Sequence, residues 1–165
     1  MTDNLPPLLN TDRIKFLKKI ESKKCAFDVL TKLLTTSQSE VTKNEVFDAL
    51  IAREKLGNTV IGAGIAIPRA HLDITYPKAA LLVLKNGIDL NSADKTKVRV
   101  FLALLIPNKI LGEYSNFISN ITKKISTEER YSKDTLDDKI NAKNPEQLVQ
   151  FFESLFEEDI ASETS

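Results

Sequence analysis

Two uninterrupted apolar runs constrain this chain more than any other feature: Ala79–Leu84 and Val100–Ile106, the second lying within the longer stretch Val98–Ile106 that follows the polar interval Ser92–Lys97. A strand with one wet face alternates apolar and polar residues, and these runs do not alternate. They read as strands buried on both faces, which calls for helices above and below one sheet. Pro107 stops the second run, because proline cannot donate to a strand ladder. Neither run approaches the length that spans a bilayer.

The flanking segments supply those helices. Ser22 is placed to cap a helix in which Ala26, Val29, Leu30, Leu33 and Leu34 recur at helical spacing. Thr42 with Glu45 forms a capping box for a helix whose stripe is Val46, Phe47, Leu50 and Ile51. That helix ends in Arg53-Glu54-Lys55, with Gly57 as its natural stop. Beyond Ile110, the residues Leu111, Phe117, Ile118, Ile121 and Ile125 fall on one helical face. Ser132–Ile140 suggests a short helix, and Asn144-Pro145 opens a last one with Leu148, Phe151, Phe152, Leu155 and Phe156 inside.

Other segments are less regular. Arg13–Ile20 fits either an edge strand or a helical start. Asn86-Gly87 predicts a hairpin turn leading into a short Ile88–Leu90, and Ser37–Glu40 reads as a loop. The expected architecture is α/β (mixed α+β), a single-domain three-layer sandwich. It has a mixed sheet of four to five strands with helices on both faces, over residues 13–156. Residues 1–12 are an N-terminal extension expected along the surface, and 157–165 an acidic tail expected to fray.

Charge narrows the partners. Lys plus Arg and Asp plus Glu number 23 each in 165 residues, so no net charge favours nucleic acid or membrane insertion. The single Cys25 cannot form an internal disulfide and reads as a small buried apolar residue. No cluster calls for a metal or other cofactor. The amino terminus, MTDNLPPLLN, lacks a basic and then apolar leader, which leads us to expect a cytoplasmic protein.

The chemistry is concentrated between the capped helix and the buried strands. From Ala52 to Asp73 the chain reads AREKLGNTVIGAGIAIPRAHLD. A charged helix end, a glycine loop and a short β-branched run bring backbone and charged side chains to a sheet rim, where α/β proteins place function. His71, the single histidine of the chain, lies there. The glycines follow neither P-loop nor dinucleotide spacing, and tight turns alone account for them.

This segment resembles the IIA domains of the bacterial phosphoenolpyruvate-dependent sugar phosphotransferase system, of the mannitol/fructose type and nearest the nitrogen-regulatory branch. The matching residues are Ala52 through Gly57, Thr59, Ile61-Gly62 and Gly64 through Pro68. Weaker matches lie at Ser22-Lys23-Lys24 with Ala26 and at Leu102–Pro107. The resemblance runs from about Leu5 to Phe152 and implies a mixed sheet between helical layers. It also implies a phospho-accepting histidine directly after the proline, a helper histidine in the helix after the second buried strand, and a phosphate-holding arginine in the REKxG turn.

Here the sequence departs from the family. Arg69 stands at the acceptor position and His71 two residues on. The helper region, Gly112–Asn116, has no histidine; Tyr114 and Asn116 lie where relatives have theirs, and Ala63 replaces an asparagine between the glycines. A guanidinium stays protonated and offers no lone pair, so Arg69 cannot be the nucleophile.

Three functions follow as expectations. The first is a regulatory protein-binding module in which ordinary phosphorylation is impaired or lost. Its partner would be a phosphocarrier protein of the system or a regulated target, such as a potassium transport or sensor protein. The second is a working phosphocarrier that uses His71 as a relocated acceptor. The third is a small-anion sensor combining Arg53 and Arg69 with the loop amides of Gly62 and Gly64. The site residues expected across these readings are Arg53, Thr59, Gly62, Gly64, Arg69, His71, Tyr114 and Asn116. The plainer alternatives are a chemically idle histidine at a strand end, solvated surface cations and an amphipathic tyrosine covering the sheet.

Overall fold

A computed structural model describes residues 8–36 and 39–164, apart from the side chains of 110–115 and 157–164. In chain order the elements are β1 (Ile14–Leu17), α1 (Lys23–Leu34), α2 (Lys43–Leu56), β2 (Val60–Gly62), β3 (Ile65–Ala66) and β4 (Arg69–Leu72). They continue with β5 (Lys78–Ile88), β6 (Val98–Pro107), α3 (Leu111–Thr127), α4 (Lys133–Ala142) and α5 (Pro145–Thr164).

The two apolar runs are the middle of one mixed sheet, ordered β1-β5-β6-β3-β2. β5 and β6 pair antiparallel, from Lys78 opposite Leu105 to Val83 opposite Val100. β1 is an edge strand lying parallel to β5, which resolves the ambiguity at Arg13–Ile20. On its other side β6 carries two short partners end to end. β3 runs parallel to its first half, with Ile65 opposite Val100, and β4 parallel to its second, with Arg69 opposite Leu104 and His71 opposite Ile106. Pro68 separates them; it has no amide hydrogen, but its carbonyl accepts from Leu104 N at 2.9 Å. The glycine-rich segment thus contributes three strands, which raises the sheet to six against the four or five expected.

Both faces are covered, as unbroken apolar strands require. Ala79, Leu81, Leu102 and Leu104 pack with Ile121, Leu136, Leu148 and Phe152 beneath α3–α5. Ala80, Leu82, Phe101 and Ala103 pack with Ala26, Leu30, Val46 and Leu50 beneath α1 and α2. Each large aliphatic side chain buried this completely contributes roughly 1.5–3 kcal/mol. The helix starts follow their caps: Ser22 Oγ accepts from Cys25 N, and Thr42 and Glu45 form both bonds of the capping box.

Several expectations are corrected. Leu9, assigned to the surface extension, is buried in the core, and Leu8 O accepts from Ala79 N. Residues 1–7, Ser37 and Gln38 lie outside the described residues, as do the side chains of Leu111 and of the acidic segment 157–164. Cys25 is exposed on the first turn of α1. Gly57 closes α2 in extended rather than left-handed backbone, at φ 166°.

Asn86-Gly87 is no hairpin turn either. β5 runs through it to Ile88, with a register shift after Val83 that marks a bulge. A β-carbon at Gly87 would stand 2.9 Å from both Val98 O and Lys97 Cβ, so the glycine admits a close strand approach.

Candidate functional site: a cationic rim at one sheet edge

β4 presents the candidate site. Its backbone is extended, so side chains two apart share a face. Ala70 and Leu72 point into the α1–α2 layer. Arg69 and His71 point the other way, beside Leu104 and Ile106, toward the layer of α3–α5. α3 starts at this end of the sheet, just after Pro107. The strand is held at its exit by Glu40, whose carboxylate accepts from Thr75 N at 2.9 Å and Thr75 Oγ1 at 2.8 Å.

The second cation comes from the end of α2. Arg53 Nη1 donates to Gly57 O at 2.7 Å, which folds the side chain over its own helix terminus and satisfies a carbonyl there. Arg69 Nη1 donates to Ile67 O at 3.2 Å. Burial, and then the neighbouring Arg53 charge, hold the Arg69 guanidinium below its ordinary value, while Glu54 acts in the opposite direction.

Glu54 is a structural residue that sequence reasoning left unexplained. Its side chain is only 8% exposed and pairs with Lys23 Nζ at 2.9 Å. Its two oxygens also accept from Thr59 Oγ1 at 2.6 Å and Thr59 N at 3.2 Å. One carboxylate therefore ties α1, α2 and the loop into β2 together. Thr59, a candidate phosphate contact, has both hydroxyl and amide engaged with Glu54, and its carbonyl accepts from Ile67 N. The one signal for Glu54 in the sequence was negative: an acidic residue in the last turn opposes the helix dipole and so needs another reason.

His71 is partly buried, and burial followed by the charges of Arg69 and Arg53 lowers its pKa below the usual 6.5. The imidazole is neutral at pH 7. Its Nδ1 is buried with no hydrogen-bond partner among the described residues.

The remaining candidates do not all join this rim. Asn116 is exposed near the start of α3. Tyr114 belongs to the first turns of the same helix, and its side chain lies outside the described residues. Gly62 and Gly64 sit at the opposite end of the sheet, where Gly64 O accepts from Arg99 N at 2.8 Å. From Arg99 to Ile106, the partner of His71, is seven strand residues, or about 23 Å at ~3.3 Å per residue.

Gly62, Ala63 and Gly64 all have positive φ, at 100°, 56° and 82°, and make a tight turn between β2 and β3. The Asp94 carboxylate already occupies this turn, accepting from Ala63 N at 2.8 Å. The expected union of glycine amides with Arg53 and Arg69 is thus overturned by topology: an extended strand carries residues 65–72 away from the turn.

Comparison with known proteins now places the chain. The family described as the phosphoenolpyruvate-dependent sugar phosphotransferase system, EIIA 2, matches residues 7–155. The chain belongs to that family. It is 30% identical over 150 residues to a nitrogen regulatory protein homolog of Haemophilus influenzae, covering 88% of each chain. It is also similar to the crystal structure of the nitrogen regulatory protein IIA-Ntr of Neisseria meningitidis. There the TM-score is 0.67 and the identity 26%, over 81% of this chain and 96% of that one. A mannitol IIA enzyme of Escherichia coli, solved in complex with phosphorylated mannitol IIB, shares the fold at TM-score 0.57 and 19% identity, over 81% and 97% of the two chains. Among the described residues, no helix is long and apolar enough to cross a membrane.

Proposed function

We propose that this nitrogen-regulatory-type IIA protein is a regulatory binding module that docks a partner through the Arg53–Arg69–His71 rim, without phosphoryl transfer at the family's acceptor position. One observation carries the reading. The residue directly after Pro68 is an arginine on an extended edge strand, its guanidinium half-buried beside a second arginine. A guanidinium supplies charge and donors but no nucleophilic lone pair, so what remains of the site can hold an anionic surface and cannot accept a phosphoryl group there. The partner is either a carrier protein of the phosphotransferase system or a regulated target such as a potassium transport or sensor protein. The setting is cytoplasmic. The mannitol IIA of like fold, solved with phosphorylated IIB, supports docking within the system.

A specific observation favours a second reading, phosphorylation of His71. Arg69 and His71 share a face, and the imidazole is neutral at pH 7. Acceptance would form an Nε2–phosphorus bond as the donor's histidine–phosphorus bond breaks, with Arg53 and Arg69 holding the phosphoryl oxygens. The displacement weighs against it: two residues along a strand is about 6.5–7 Å, far beyond the tolerance of phosphoryl transfer. As for small-anion sensing, only the two arginines are left to support it at this rim.

The deciding experiment is intact mass after incubation with phosphoenolpyruvate, enzyme I and the small histidine phosphocarrier. The expected result is no adduct. An acid-labile phosphate adduct that vanishes in His71→Ala would replace the first reading with the second.

A further inference from the structure

At the sheet end opposite the rim, β1, β5 and the carboxyl end of α4 enclose a depression of about 520 Å³. That volume lies in the range of small-molecule sites. Its floor is apolar, made by Phe16, Val83 and Ile140. Among the described residues, every charged one lining it is basic: Lys18, Lys85, Lys143 and Arg99. In a chain whose charges balance at 23 each, such one-sidedness is local and not inherited from the composition.

The cations divide into one fixed group and three free ones. Arg99 Nε donates to Leu84 O at 3.2 Å, and Nη1 pairs with Asp137 at 2.8 Å. Asp137 also takes Lys133 at 2.9 Å, so this carboxylate is matched by two cations and leaves no surplus negative charge. Lys18, Lys85 and Lys143 are exposed, and among the described residues none has a carboxylate partner. Three unpaired ammonium groups repel one another and attract an anion. Lys143 is directed by the helix end: its backbone is left-handed, at φ 53° and ψ 35°, and its N–H donates to Ile140 O.

We propose that this depression binds a small organic anion: a phosphate or carboxylate group held by Lys18, Lys85 and Lys143, on a flat apolar body that covers Phe16, Val83 and Ile140. The apolar floor distinguishes such a ligand from inorganic phosphate. Charge-assisted contacts supply the strong interactions, and the floor selects for a body that removes apolar surface from water. The site lies about 23 Å along β6 from His71, so binding there needs neither a partner at the rim nor phosphorylation.

The test is NMR titration of amide signals in the full chain with phenyl phosphate, benzoate, adenosine monophosphate, adenosine and inorganic phosphate. Saturable shifts should centre on Val83, Lys85, Ile140 and Asn141, with the organic anions binding at least tenfold more tightly than adenosine or inorganic phosphate. Phenyl phosphate against benzoate tells which acid group is preferred. Lys85→Glu combined with Lys143→Glu should weaken the organic anions by tenfold or more while the remaining spectrum is unchanged. These side chains are exposed, so the variant keeps the fold. If no organic anion saturates at millimolar concentration, or adenosine binds as well as its phosphate, or the double variant binds unchanged, the proposal is overturned.

Discussion

The two ends of the sheet both look built for anions, and they differ in whether their groups are already satisfied. At the Gly62–Gly64 turn, three consecutive positive-φ residues gather backbone amides, and Asp94 fills the place an anion would take. Asp94 is further tied to Thr96 N and Ser92 Oγ, each at 3.0 Å. At the rim, Arg53 and Arg69 spend one donor each on a carbonyl, and the nearby carboxylate, Glu54, is taken by Lys23 and Thr59. A turn that completes its own hydrogen bonds is architecture. Charges left over after the architecture is complete are available for a partner.

The hardest test of that contrast removes Glu54. Glu54→Ala would strand Lys23 and the hydroxyl and amide of buried Thr59. A loss of about 2–3 kcal/mol is expected, with partial exposure of Lys23 keeping it below the cost of breaking a fully buried pair. Urea unfolding reads it; a loss under about 0.5 kcal/mol would mean that the carboxylate does not hold the rim together.

At the other end, Asp94→Ala should cost about 1 kcal/mol, the scale of hydrogen bonds in an exposed turn. Groups this far apart act independently, so the His71 titration should not move. A shifted imidazole in Asp94→Ala would show that the two ends communicate.

The rim itself is read by His71. Burial and two guanidinium charges lower its pKa, so on acidification the unfolded chain takes up the proton first. Its contribution to stability is therefore fully present above the ordinary 6.5 and falls as the pH drops through 6.5 toward the folded-state value. Arg69→Gln removes one of the repelling charges and should raise the imidazole pKa, measured by NMR, narrowing that window. An unmoved pKa would show that the two side chains do not share a face.

Gly57→Ala should have the smallest effect. The backbone there is extended and, chain neighbours aside, no atom of the described residues lies within 4 Å of the added carbon, so a change within about 0.5 kcal/mol is expected. Gly64→Ala, at φ 82° and 3.4 Å from Lys97 O, should cost roughly 1 kcal/mol or more by the same unfolding assay.

Much of this was legible because it depended on neighbours in sequence. Ser22, Thr42 with Glu45, and Pro145 marked helix starts through bonds or backbone limits that reach at most a few residues. The apolar runs marked the central strands because burial on both faces leaves no polar alternation to see. Arg69 in the acceptor position was likewise legible, since its place is counted from Pro68.

What the residue order could not show was where distant segments meet. Asn86-Gly87 has the local chemistry of a turn, yet pairing with β1 and β6 keeps it in a strand: Asn86 N donates to Lys18 O, and Gly87 admits Val98 O. The worth of Glu54 depended on Lys23, thirty-one residues away. Gly64 and Arg69 are five apart in sequence, but the extended chain along β6 puts them toward opposite ends of the sheet. Local signals report backbone preference within a turn or two, whereas the position of a side chain relative to a site is set by strand register, a property of two segments at once.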